Sequence, residues 1–267
     1  MKRKQGIILT LILFCSAVLG MPAFWFYKAD RQERLNQQLI ASIKHEDFRS
    51  ALAALNNGAD ANVRDVAGIS GGQRLWDLWK DYHRQAFPAA TPLLLFLQSH
   101  DKISLDGHVI TGPYKKDNPG IVNALLAKGA YVNVCDEYGH VPLELAFFGR
   151  KNTSARLLVE HGADVRYRRG HANYLILAIG NNLDASTLDL MVKEGADVNQ
   201  SDGYGRTPLG EALRGGNPVT IGCLLRHHAD PNKTTTDDPE TNDPLEFAKK
   251  RHLTEIARLL REAGAKR

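Results

Sequence analysis

The chain has 267 residues, 43% of them hydrophobic and 24% charged, ordinary proportions for a folded protein of one large or two small domains. Lys2, Arg3 and Lys4 account for three of the 34 basic residues. The other 31 nearly balance the 30 acidic ones, which excludes the broad basic surface that a nucleic-acid backbone requires. Three cysteines, Cys15, Cys135 and Cys223, are too few and too scattered for a disulfide framework or a metal cluster.

Residues 1–5 form a basic leader to an uncharged run from Gly6 to Tyr27, GIILTLILFCSAVLGMPAFWFY. At about 1.5 Å per residue, a helix of that length crosses a hydrocarbon core of about 30 Å. Trp25, Phe26 and Tyr27 sit where an interfacial aromatic belt belongs, and the positive-inside rule keeps the N-terminus in the cytoplasm and sends the rest across. The alternative is a cleaved signal segment with Val18 and Gly20 before the cut. Lipidation of Cys15 fits poorly, because bulky Phe14 precedes it. Both principal readings place the main domain outside the cytoplasm. Residues 28–34 are expected as a linker to residues 35–267.

Beyond the leader the chain repeats. The tripeptides opening at Gly58, Gly129, Gly162, Gly195, His228 and Gly264 share the form Gly-Ala-Asp or a close variant, and the three steps from Gly129 to His228 are each 33 residues. A second marker, Thr-Pro-Leu or a variant, opens at Thr91, Val141, Thr207 and Asp243, with Asn173-Tyr174-Leu175 as a degenerate copy. Pro142 to Gly162, Pro208 to His228 and Pro244 to Gly264 each span 20 residues, whereas Pro92 to Gly129 spans 37. The irregular spacing therefore places extra residues near 65–90 and near 100–118.

A Pro in the first helical turn lacks only an N–H that has no helical partner, and the Thr before it caps the helix. A Gly after the second helix takes a left-handed stop without steric cost. The pairs Leu125-Leu126, Leu158-Val159, Met191-Val192 and Leu224-Leu225 are placed to seal neighbouring units, none of which can bury its apolar face alone. This syntax, most regular in GADVNQSDGYGRTPLGEA from Gly195 to Ala212, resembles the ankyrin repeat. The resemblance covers about Leu35 to Arg267. It implies an all-α repeat solenoid of about six stacked helix–turn–helix units with short hairpin fingers, preceded by one transmembrane or signal helix. The ends depart as capping units should: Gln37-Gln38 stands where Thr-Pro is expected, and Arg261 where inner units carry Leu or Val.

Departures from the repeat are the candidates for binding. The first insertion carries Leu75, Leu78, Trp79 and Tyr82 on one helical stripe, with Trp76 beside it, either packed on the scaffold or offered as an aromatic anchor. The second, with Gly107, Gly112, Pro113, Lys115 and Lys116, reads as a surface loop. Arg166, Tyr167, Arg168, Arg169 and His171 place a basic cluster on the third finger, where the family usually has Asn-rich turns; it suits an acidic partner or a solvated tip. Leu94, Phe148 and Ile176 fall at first-helix positions often polar in such repeats, as the floor of an apolar groove or as larger core residues.

Catalytic signals are weak. Gly68-Ile69-Ser70-Gly71-Gly72 matches G-x-S-x-G, but a nucleophile elbow needs a strand-to-helix turn in a parallel sheet, and here it falls in a glycine-rich insertion. His227, His228 and Asp230 invite a metal reading, yet His228 replaces the helix-stopping Gly and His161 holds the place of His227 in an earlier unit, favouring support of the turn. Cys223 reads as core, and Cys135 as an exposed residue of the finger. No cofactor and no metal are expected. The expected partner of this single-copy scaffold is another protein. With the leader and without a disulfide framework, the expected place is a bacterial inner membrane, single pass, with the repeats in the periplasm, or release into the periplasm after cleavage. An immunity or inhibitor protein against a periplasmic toxin, an assembly or protection factor for an envelope enzyme, and, remotely, a serine hydrolase at Ser70 are the functions that follow.

Overall fold

The computed structural model describes residues 27–65, 91–98, 116–136, 138–166, 173–233 and 243–266. The leader up to residue 26, the insertion holding Ser70, Trp76, Trp79 and Tyr82, and the finger residues Tyr167, Arg168, Arg169 and His171 lie outside them.

Helices start and stop where the local chemistry directs. Thr91, Asn173, Thr207 and Asp243 each turn a side-chain oxygen onto the first-turn N–H groups of the helix that follows, at 2.9–3.5 Å. At the other ends Gly58, Gly129, Gly162, Gly195 and Gly264 adopt φ of 80–101°, and the alanine after each donates back to the helix, as Ala196 N does to Met191 O at 2.9 Å. His228 takes the same left-handed turn, at φ 63°, without being a glycine.

Twelve helices result among the described residues: α1 (27–44), α2 (Phe48–Asn56), α3 (Pro92–Leu97), α4 (Pro119–Ala127), α5 (Pro142–Phe148), α6 (Asn152–Glu160), α7 (Tyr174–Gly180), α8 (Ala185–Lys193), α9 (Pro208–Gly215), α10 (Pro218–Arg226), α11 (Pro244–Lys250) and α12 (Thr254–Glu262). In chain order they make six helix–turn–helix units. First helices α3, α5, α7, α9 and α11 contact in succession as one layer, and second helices α2, α4, α6, α8, α10 and α12 as another. Leu125, Leu158, Met191, Leu224 and Leu260, one per second helix from α4 onward, are wholly buried within one continuous core. Each such side chain contributes about 1.5–3 kcal/mol by burial alone. Among the described residues no strand forms. Residues 98–118 separate α3 from α4, where only 149–151 separate α5 from α6.

One boundary is corrected. Residues 28–34 do not form a linker but continue α1, supported at i,i+4 spacing by Asp30 with Arg34 and by Gln37 donating to Glu33. No helix starts at Gln38, which removes the need for a Thr-Pro cap there.

A second framework joins the fingers. Asn62 Nδ2 donates to Gly129 O at 2.8 Å while its Oδ1 accepts from Tyr131 N at 2.7 Å. Asn133 does the same to Gly162 O and Asp164 N, Asn199 to His228 O and Asp230 N, and Asn232 to Gly264 O and Lys266 N. On the first unit two α1 residues divide these bonds between them. Gln32 Nε2 donates to Gly58 O and Asn36 Oδ1 accepts from Asp60 N, both at 2.8 Å. Units one to three, and units four to six, are thus stapled in succession by carboxamides as well as by stacking.

Two further polar contacts brace unit two against unit three. Lys151, 1% exposed, donates Nζ to Phe96 O and Leu97 O at 2.8 and 3.1 Å, which satisfies the last carbonyls of short α3. Asp117 accepts from Thr153 N, Ser154 N and Ser154 Oγ, capping α6 from outside its own unit.

Candidate protein-interaction surface

The finger tips are built on buried aspartates. Asp136 Oδ1 accepts from Tyr138 N and His140 N at 2.9 and 2.8 Å, and Asp202 Oδ1 from Tyr204 N and Arg206 N at 2.9 Å each. Their second oxygens hold the side chain closing the turn: His140 Nδ1 at 3.0 Å, and Arg206 Nε and Nη2 at 2.7 Å each. Gly139 and Gly205 supply φ of 81° and 78°, which closes a tight turn followed by a left-handed residue. The middle tyrosine is driven outward, so Tyr138 and Tyr204 are 63% and 58% exposed on rigid supports.

Aromatic surface gathers around the second finger. The rings of Tyr138 and His140 lie 6.0 Å apart, and His140 meets Phe148 of α5 edge-on at 6.4 Å. Phe148 is 45% exposed. The patch therefore runs from a finger tip down to a first helix. Two units on, the Arg206 guanidinium lies 5.5 Å from the Tyr204 ring centre. Rigid exposed aromatics beside arginine are the composition of binding hot spots.

Of the three residues expected to floor a groove, only Phe148 reaches the surface. Leu94 and Ile176 are 0% and 3% exposed. They share one register, two residues after the first helical residue, with Glu144, itself 2% exposed, and stacking of the first helices closes over that register. The exposed register lies four residues later, at Phe148, Gly180, Arg214 and Lys250. Cys135 is not exposed but half-buried against the core. Cys223 is buried, which pushes its thiol up.

Arg166 is exposed and pairs its Nε with Asp164 Oδ1 at 3.5 Å. It stands 33 residues after Asn133 and 33 before Asn199, in the asparagine register of the finger ladder. Among the described residues nothing there donates to Gly195 O or accepts from Asp197 N. A cleft of about 260 Å³ opens at the gap, lined by Arg166, Asn173, Gly195, Asp197 and Gln200 among others. Asn173 cannot fill it, since its Nδ2 is committed to Gln200 O at 2.7 Å and its Oδ1 to the start of α7.

The histidines are otherwise engaged. His227 Nε2 meets Asp189 Oδ1 at 2.7 Å, and His161 Nδ1 meets Leu157 O at 2.8 Å. Lys193 and then His227 beside Asp189 hold its carboxyl below the usual carboxylate range. Among the described residues no three His, Cys, Asp or Glu side chains group around a metal position, and no helix is long and apolar enough to cross a membrane. Sequence reasoning missed Tyr138, His140, Tyr204 and Arg206; the recurring Asp-x-Tyr-Gly motif is the signal that marks all four.

Comparison with known proteins agrees with this architecture. Residues 175–266 match the family model described as ankyrin repeats (3 copies). The chain is 34% identical to the nuclear factor NF-kappa-B p105 subunit of Gallus gallus over 54% of its own length, and spans only 15% of that protein's. It is 27% identical to the putative ankyrin repeat protein YahD of Escherichia coli, over 54% of this chain and 90% of that one. An ankyrin repeat domain from Acinetobacter baumannii AYE superposes with a TM-score of 0.56 at 22% identity, covering 85% of this chain and 98% of that one. Residues 175–266 therefore carry ankyrin repeats, and the helix pairs before them continue the same fold.

Proposed function

We propose that this chain is a membrane-tethered, extracytoplasmic scaffold that captures another protein through its finger tips and first-helix face, as an immunity or inhibitor protein against a toxin reaching the periplasm. Ankyrin repeats are generally non-enzymatic protein-interaction modules. The observation that carries the binding reading is the pair of exposed rings Tyr138 and Phe148, bridged by the buried His140 ring, on a turn anchored by buried Asp136. The apolar run from Gly6 to Tyr27 behind Lys2-Arg3-Lys4 supports the tether and the periplasmic side.

The test is a crosslinked pull-down from native envelope with the full-length tethered chain. One specific protein should be captured, and Tyr138→Ala or Phe148→Ala should weaken its capture about tenfold without lowering the melting temperature. Capture unchanged in both variants rejects the surface, and no specific capture by the natural chain rejects the scaffold. A captured toxin with an occluded active site supports the immunity role. A captured envelope enzyme whose yield falls without the scaffold replaces it with the assembly or protection role.

A further inference from the structure

We propose that the gap in the finger ladder at Arg166 is a subsite for a carboxamide side chain, an asparagine or glutamine supplied by the partner protein. This rests on the scaffold reading above and assigns one chemical contact within it.

The molecule itself defines the ligand. At five of the six turns that end the second helices a carbonyl and an N–H two residues later are presented in the same arrangement, and at all five carboxamides fill them. Asn62, Asn133, Asn199 and Asn232 each use one side chain, and Gln32 with Asn36 divide the two bonds between them. The sixth turn presents the same pair, Gly195 O and Asp197 N, in the same geometry: Gly195 has φ 101° and Ala196 N bonds Met191 O as elsewhere. Only the side chain differs. Arginine carries five donors and no acceptor, so it cannot take the hydrogen of Asp197 N. A carboxamide offers the donor for Gly195 O and the acceptor for Asp197 N together, as neither a carboxylate nor an ammonium does.

The site is also reachable. Gly195 and Asp197, which present the pair beside the cleft, are exposed. Arg166 borders it without sealing it: the stem passes Gly195, while Nε is drawn to Asp164. Asn173 is already satisfied within the chain, through Gln200 and α7, so it does not compete for the ladder pair.

The test titrates the full-length chain in micelles with acetyl-Ala-Asn-Ala methyl ester, whose only primary carboxamide is the Asn side chain, while following the Asp197 amide resonance, with the Asp and Leu methyl esters as comparators. The Asn peptide should move the Asp197 resonance and saturate, and the other two should not. Arg166→Ala, which keeps the gap, should leave the response within about twofold, whereas Arg166→Asn, which fills it in cis, should weaken it about tenfold or more. An equal response to the Leu peptide transfers recognition to the peptide backbone and overturns the proposal. An equal response to the Asp peptide, or equal loss in both variants, assigns binding to the guanidinium and overturns it too. In the envelope pull-down, Arg166→Asn should lose the partner that Arg166→Ala retains; capture by both rejects the carboxamide subsite while leaving the scaffold intact.

Discussion

Arg166 runs along Gly195, its Cδ 3.3 Å from where a Cβ on that glycine would stand, at the register that Asn133 and Asn199 fill on the neighbouring fingers. The chain thus forgoes two inter-unit hydrogen bonds at one of the five junctions between its six units. Each such bond contributes about 0.5–1.5 kcal/mol net. Arg166→Asn should therefore stabilise the protein by about 1–2 kcal/mol, with a rise of several degrees in melting temperature. The reverse change, Asn199→Ala, should lower it by a similar amount. Thermal unfolding of the two variants checks this, and an Arg166→Asn protein no more stable than the natural chain contradicts it.

His228 holds a left-handed turn that five glycines hold elsewhere, at φ 63°. A side chain there costs about 1–2 kcal/mol, partly offset by the extra freedom that glycine gives the unfolded chain. His228→Gly should gain about 1 kcal/mol, since the bond from Asn199 Nδ2 goes to the backbone carbonyl and survives the change. His228→Ala, still bearing a Cβ, should gain nothing. Equal melting temperatures for the Gly and Ala variants would show that the turn is not strained.

These two positions also show how far a repeat can be read from its letters. Thr207, Pro208 and Gly195 act within a few residues of themselves, so their roles as cap, start and stop are legible directly. Asn199 acts across units, but its recurrence beside Gly-Ala-Asp makes it visible once the period is known. Leu94 and Ile176 are ambiguous in the sequence because first-helix burial depends on how neighbouring units stack, and stacking closes their register. Lys151 and Asp117 are illegible there: each satisfies helix-end groups of another element, Lys151 across the second insertion and Asp117 from its end. His140 is hard to see because it stands in for Arg206 in a motif whose anchor, Asp136, looks like an ordinary turn residue.

Asp184 supplies a pH-dependent term. Its Oδ1 accepts from Thr187 N at 2.8 Å at the start of α8, and hydrogen bonding by the Thr187 side chain, with backbone and Arg156 contributions, holds the carboxyl below its ordinary range. Because the folded value lies below the unfolded one, the contribution is full above the ordinary carboxylate range and is lost as pH falls through the folded value. Asp184→Ala should cost about 1 kcal/mol at neutral pH. Asp184→Asn, which still caps, should cost less, and its deficit should shrink toward strong acid, where the natural aspartate is protonated too. Urea unfolding at several pH values measures this. Because the site is largely exposed, the charge-dependent part should fall at high salt.

The first unit provides the last test, of whether α1 is bound in by its amides or only by its apolar face. Leu39, Ile40 and Ile43 are all 4% exposed or less, so burial holds the C-terminal half of α1 on the core, with Lys44 paired to Asp65 at its end. Gln32 lies in the segment expected as a linker and Asn36 just past it, and they bond each other at 3.0 Å as well as Gly58 O and Asp60 N. In a stacked array each unit is stabilised mainly by its neighbours, so a change at one end stays local. A Gln32→Ala, Asn36→Ala double variant should speed hydrogen exchange at the Asp60 amide about tenfold or more, the loss of about one to two hydrogen bonds. Exchange at Asp164 and Asp230, whose ladder partners are Asn133 and Asn199, should stay unchanged. If Asp60 exchange does not change, α1 is held without its amides, and its polar half is no part of the ladder.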